Sequence, residues 1–187
     1  MTFSVTEFKS NLKKGGARSA LFSVELLFPT GVTTPLTRSE FLVRSSSIPA
    51  SNIGTHEVFF HGKAIRIAGD RTYDTWETTI INDEDFELRN SIEEWMNLIS
   101  DSKLNTRDST FSESEGENVD YKKKLTVKQF SKEGTQLRAY NFINAFPTSL
   151  SPIGLDWASG EMEEFTCTWT YDYWESPATI TTNDTEG

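Results

Sequence analysis

Short alternations of apolar and polar residues, broken by glycine, proline and asparagine, dominate this chain. In LFSVELLF (21–28), Phe22, Val24, Leu26 and Phe28 fall on one side at strand period, which predicts a first strand. GVTTP breaks it. EFLVRSS then resumes the alternation, with Phe41 and Val43 opposite Leu42 and Arg44, until Pro49 stops the run. THEVFFHGKAIRIAG reads as two short strands around His61-Gly62, because glycine readily supplies the positive φ of a tight hairpin turn. TWETTIIN (75–82) is rich in β-branched residues and predicts a further strand. KKLTVKQF and LRAYNFINAF predict two more, the second with Tyr140, Phe142 and Phe146 on one face, Ala139 and Ile143 on the other, and Pro147 as its end. The most regular run is EEFTCTWTYDYWE, where Phe165, Cys167, Trp169, Tyr171 and Tyr173 alternate with Thr166, Thr168, Thr170 and Asp172. One of its faces is core and the other small and polar.

A single segment changes period. Leu88, Ile92, Trp95, Met96 and Ile99 recur at three- and four-residue spacing, which predicts a helix over 83–99 with its stripe against the sheet. Asn82 or Asp83 can cap it, and Glu84 and Asp85 suit its positive end. Residues 101–120 lack periodicity and carry Asp108, Glu113, Glu115, Glu117 and Asp120, which predicts a mobile, solvated acidic loop. SPATITTNDTEG (176–187) has no pattern and reads as a frayed tail. The expected fold is mainly β: an antiparallel β-sandwich or partial barrel with one flanking α-helix. The expected plan is a flexible amino-terminal arm over 1–20, one β domain over 21–175, and the tail.

Charge adds two constraints. The 187 residues carry 18 basic and 28 acidic side chains, a net −10, which argues against a domain that grips nucleic acid through clustered Lys and Arg. Residues 1–20 hold Lys9, Lys13, Lys14 and Arg18 against Glu7, so the arm is basic and the body acidic. The lone cysteine, Cys167, cannot form an intrachain disulfide, and MTFSVTEFKSN lacks the pattern of a secretory signal. Folding in a reducing cytoplasm is expected. No apolar run approaches the roughly 20 residues that span a bilayer, so no membrane anchoring is expected.

Candidate chemistry is weak throughout. HEVFFH starts like a zinc-protease motif, but His56 and His61 are five apart rather than four, and a strand would turn them to opposite sides. There is no G-x-S-x-G elbow, and Cys167 lies within an apolar face, where it is core filler. The densest stretch is AGDRTYDTW (68–76), with Asp70, Arg71 and Asp74 as a conceivable catalytic cluster. No third catalytic group or phosphate loop accompanies it. The reading that prevails is a structural corner: Gly69 permits a bend, Asp70 and Arg71 pair with each other or with backbone, and Tyr73 and Trp76 pack as the chain passes Asp74 into the next strand. No catalytic, cofactor-binding or metal residue is expected.

Several quoted segments together carry a resemblance. They are Ala68 to Trp76, Ile81-Asn82-Asp83-Glu84, the helix with Trp95, Tyr121-Lys122-Lys123, Gly154-Leu155-Asp156-Trp157 and Tyr171-Asp172-Tyr173-Trp174-Glu175. In order and spacing the chain resembles, from Arg18 to Glu175, the tail tube proteins of T4-like contractile-tailed bacteriophages. The acidic loop looks longer than that family needs, and the chain continues past Glu175, near where such chains stop.

The resemblance implies a structural virion protein, without enzymatic activity, that forms hexameric rings stacked into the inner tail tube. Implied partners are further copies of the chain, the tail sheath protein, baseplate and tail terminator proteins, and double-stranded DNA that passes without tight binding. Assembly would occur in the host bacterial cytoplasm. Related alternatives are the tube of a bacterial contractile injection system and a tube-like baseplate or terminator protein. Within this picture the hairpin residues Val58, Phe59, Phe60, Ile65 and Ile67, apolar on more than one face, are expected to flare out onto an adjacent subunit. The lumen is expected to be lined either by Thr166, Thr168, Thr170 and Asp172 or by the polar face of the 75–82 strand.

Overall fold

A computed structural model of the protein describes residues 4–12, 16–32, 39–102, 121–158 and 160–176. Of the expected acidic loop over 101–120 and the expected tail over 176–187, residues 103–120 and 177–187 lie outside the described residues. In chain order the elements are α1 (Val5–Asn11), β1 (Phe22–Glu25), α2 (Ser39–Leu42), β2 (Val43–Ser46), β3 (Ser51–Phe60), β4 (Lys63–Tyr73), β5 (Trp76–Ile81), α3 (Glu87–Ile99), β6 (Lys123–Phe130), β7 (Gln136–Leu150), β8 (Glu164–Thr170) and β9 (Tyr173–Glu175).

Seven strands form one antiparallel system ordered β1-β6-β7-β8-β5-β2, with β9 also paired to β7. Its two halves face each other and share β7, whose first part pairs with β6 and β9 and whose last part pairs with β8. The strand was expected to end at Pro147 but continues through it to Leu150. Proline lacks an N–H, and it stands where β7 changes partners, a place where the ladder is already interrupted. A second irregularity sits at Asn144, which adopts φ 57° and donates from Nδ2 to an Asp172 carboxylate oxygen at 2.7 Å. The extra residue shifts the alternation, so Ala145 rather than Phe146 is fully buried.

The core lies between the halves and is built on aromatic rings. Trp76 of β5 stacks on Phe142 of β7 with centroids 4.2 Å apart, joining the two halves. Trp169 of β8 is packed on its other side by Trp95 of α3 at 5.7 Å. The three indole N–H groups are all satisfied: Trp76 donates to Ser46 Oγ, Trp169 to Thr78 Oγ1 and Trp95 to the Tyr121 carbonyl. These three indoles therefore add buried area without leaving an orphaned donor, whereas the buried Nε1 of Trp174, which packs at the edge of the core, has no hydrogen-bond partner among the described residues.

The helical stripe lies as its spacing predicts, with Leu88, Ile92 and Trp95 buried and Met96 and Ile99 packed against the core. Its start differs from expectation. The helix begins at Glu87 with Phe86 as the capping residue, in left-handed backbone at φ 53° and without a side-chain cap, so neither Asn82 nor Asp83 caps it. Asn82 is instead bound to Glu163 by its backbone N–H at 2.9 Å and its side chain at 3.3 Å. Residues 40–42, read as the start of a strand, instead belong to a single helical turn, Ser39–Leu42, that leaves Phe41 exposed. Within the amino-terminal arm, expected as flexible, Val5–Asn11 is helical.

Candidate subunit interface

Strands β3 and β4 form a separate two-stranded sheet, longer than the short hairpin its sequence predicts. At strand rise its ten and eleven residues span roughly 30 Å. The turn at His61-Gly62 has φ 47° and 80°, the double positive pair of a type I′ hairpin. Every residue of β3 is exposed. Pairing of Phe60 with Lys63, Val58 with Ile65 and His56 with Ile67 places Val58, Phe60, Ile65 and Ile67 on a single face. Of the five residues expected at the contact only Phe59 is on the reverse, the side that exposed Ile53 shares, beside an ion pair in which Arg66 Nε donates to Glu57 Oε1 at 2.8 Å. The apolar residues are thus more segregated than the sequence reading held.

The AGDRTYDTW stretch is not one bend. Its first six residues, Ala68 to Tyr73, continue β4. Facing Gly54 across the hairpin are two residues, Gly69 and Asp70, which makes a β-bulge. Glycine is needed at Gly69 for space. A Cβ there would lie 2.9 Å from the His56 ring and 3.2 Å from the Gly54 carbonyl carbon. Asp70 and Arg71 are exposed and, among the described residues, make no ion pair with each other, because neighbouring strand residues diverge. The turn comes later, at Asp74-Thr75. There Asp74 donates its N–H to the Ala50 carbonyl at 3.3 Å and accepts from the Tyr171 hydroxyl at 2.5 Å. Burial, then the charges of Asp74 and Tyr73, push the Tyr171 hydroxyl from an ordinary 10.0 up to about 12. Tyr73 is partly buried and Trp76 wholly so.

The two candidate lumen surfaces are one surface. In β5 and β8 the inward residues are Trp76, Thr78, Ile80, Phe165, Cys167 and Trp169, which turns Glu77, Thr79, Thr166, Thr168 and Thr170 outward. Glu77 is the register partner of Thr168, and Thr79 that of Thr166. Asp172 falls off this face: β8 ends at Thr170, and after Tyr171 the chain crosses to β9 in the other half, leaving Tyr173 largely exposed rather than in the core row. The outer face of the opposite half is different, with Lys124 and Lys128 on β6 and a Lys128–Glu25 ion pair at 2.5 Å.

A further exposed surface was not singled out from the sequence as a contact. The connection between β7 and β8 displays Leu155, Trp157 and Met162 to solvent, Trp157 completely. It is anchored rather than loose. Ile153 packs on the core, Ser151 and Thr166 exchange hydrogen bonds at 2.8 Å, and Asp156 accepts the Ala158 N–H at 3.0 Å. Large apolar residues in a segment without periodicity were the available signal. Beside this loop lies an open cleft of about 730 Å³ lined by Arg44, Ile81, Gly160, Glu161, Met162 and Glu164.

Reactive groups are dispersed. His56 and His61 both lie on the hairpin, and burial pushes the Cys167 thiol up, away from the thiolate form. Among the described residues no three His, Cys, Asp or Glu side chains are grouped to hold a metal ion.

Comparison with known proteins agrees with this geometry. Residues 17–176 match the family described as phage tail tube protein. The chain is 29% identical over 161 residues to "Tail tube protein gp19" of Enterobacteria phage T4, covering 85% of this chain and 91% of the relative, and equally so to that of phage T6. Its fold is shared by a chain of the anti-feeding prophage tube-terminating cap (TM-score 0.62, 21% identical, 87% and 91% covered). It is also shared by a chain of an extracellular contractile injection system sheath-tube complex (TM-score 0.56, 17% identical, 95% and 99% covered).

Proposed function

The chain belongs to the phage tail tube protein family, and from that premise we propose that it forms hexameric rings stacked into the inner tube of a contractile tail. The tube conducts double-stranded DNA inside the sheath, joined to baseplate and terminator proteins at its ends, and is assembled in the host cytoplasm. Its role is architectural and not catalytic. The observation that carries the reading is the bare hairpin. An isolated two-stranded sheet is marginal in water, and this one carries Val58, Phe60, Ile65 and Ile67 on an uncovered face. Such an element is completed by a neighbouring copy.

The wall of a DNA channel must offer phosphates no basic foothold. Of the two outer sheet faces, the β5–β8 face carries threonines and Glu77, with Arg44 at its border paired to Glu164, whereas the other carries Lys124 beside the Lys128–Glu25 pair. We assign the lumen to the threonine face. The short outer strands β1 and β2 leave edges that ring neighbours can pair.

Electron microscopy of the concentrated, purified chain tests this. Hollow, regularly striated rods are expected, and a persistently monomeric globule under nucleating conditions would overturn it. DNA within the assembled particle separates a phage tube from the tube of an injection system.

A further inference from the structure

We propose that the surface receiving the hairpin is the β7–β8 loop of the next copy, with Val58, Phe60, Ile65 and Ile67 seated on Leu155, Trp157 and Met162. This rests on the tube reading and names the contact that would propagate it.

Three observations lead there. The first is position. Strands β5 and β8 are antiparallel, with Trp76 opposite Trp169 at one end and Ile81 opposite Glu164 at the other. The hairpin rejoins the body at Asp74, beside the Trp76 end, and the loop enters β8 at Glu164, beside the Ile81 end. Hairpin and loop therefore occupy opposite ends of one strand pair. Copies placed head to tail bring one to the other, and a contact between two different surfaces of the same chain repeats without closing.

The second is chemistry. The hairpin's apolar face and the loop are both built of large exposed hydrophobic side chains, and each remains uncovered in the single chain. Trp157 is the kind of rigid aromatic anchor that dominates protein contacts. The third is charge. Residues 51–73 carry Lys63, Arg66 and Arg71 against Glu57 and Asp70, a net +1, while 151–164 carry Asp156, Glu161, Glu163 and Glu164 with no basic residue of their own, Glu164 being paired with a cation from outside the segment, Arg44. Lys63 shares the apolar face of the hairpin, and Glu161 and Met162 line the cleft beside the loop. The opposed charges set the orientation of an otherwise greasy contact.

The test uses the full chain with Phe60→Cys and Trp157→Cys combined, the buried Cys167 left in place. Oxidation of assembled tubes is expected to give ladders of linked chains on denaturing gels, which neither single substitution gives. Lys63→Glu or Glu161→Lys alone should slow tube growth roughly tenfold, and the two together should restore it; circular dichroism checks that each variant is folded. Tubes that form without ladders, and a Trp157→Ala chain that polymerises at the normal rate, would overturn the contact while leaving the tube reading intact; the loop would then face another partner such as the sheath. Failure of the unsubstituted chain to form tubes would remove both.

Discussion

Tyr171 donates its hydroxyl to the main-chain carbonyl of Asp74 at 2.5 Å, tying the end of β8 to the residue where the hairpin rejoins the body. The contact fixes the exit direction of an element that has few other holds on the domain. A neutral phenol is required to make it. Because burial raises its titration from 10.0 to about 12, the contribution is whole below pH 10 and is lost as pH climbs towards 12. Tyr171→Phe should cost about 1 kcal/mol near neutrality and flatten this alkaline loss. Urea unfolding of both chains between pH 8 and 12 measures it, and equal alkaline slopes would remove the argument.

Trp76 is the residue on which the two sheet halves meet. It is fully buried, stacked on Phe142 and bonded to Ser46. Trp76→Ala should cost about 3–5 kcal/mol, a large share of the roughly 5–15 kcal/mol available to a domain. A matching drop in the urea midpoint is expected, with tube formation lost as a consequence of unfolding.

The hairpin bulge predicts the opposite pattern. Gly69→Val would press on the His56 ring and on the Gly54 backbone, distorting β3 and β4 without touching the core. Body stability should change by less than about 0.5 kcal/mol, while tube growth measured by light scattering falls severalfold. Adding His56→Ala should recover part of that loss. Arg71→Glu, on the same exposed stretch, should likewise leave the monomer folded and slow assembly.

Thr166→Lys with Thr168→Lys tests the lumen assignment. Both positions are partly exposed on the outer face of β8, so the chain should fold and form tubes. Particles built from it should release DNA more slowly, and added salt should relieve the delay, because exposed charge is screened within about 10 Å at 0.1 M. Unchanged ejection kinetics would place these residues away from the bore.

The strands, the helix stripe and the aromatic core were legible because side-chain burial has a period that local sequence records. Leu88, Ile92 and Trp95, and Phe165, Cys167 and Trp169, lie where their spacing put them. The start of α3 was misread because Asn82, a good cap by type, is held by Glu163, a residue 81 positions away. Phe41 misled for a similar reason. An alternating pattern also fits a short helical turn, and the turn at Ser39–Leu42 leaves that ring in solvent.

What the sequence by itself determined is the class of object: a mainly β chain with one packed helix, a tight turn at His61-Gly62, and an excess of apolar surface around it. Backbone preference and side-chain period are local properties, and neighbours along the chain suffice to express them. Only tertiary structure decided which surfaces are shared. It joined Glu77 and Thr79 to Thr166 and Thr168 as one face, drew Asp172 off it, and gathered four of the five hairpin residues onto one side. It also set that hairpin and the Trp157 loop at opposite ends of β5 and β8. Register between distant strands and the direction of a junction depend on long-range pairing, and no local pattern encodes them.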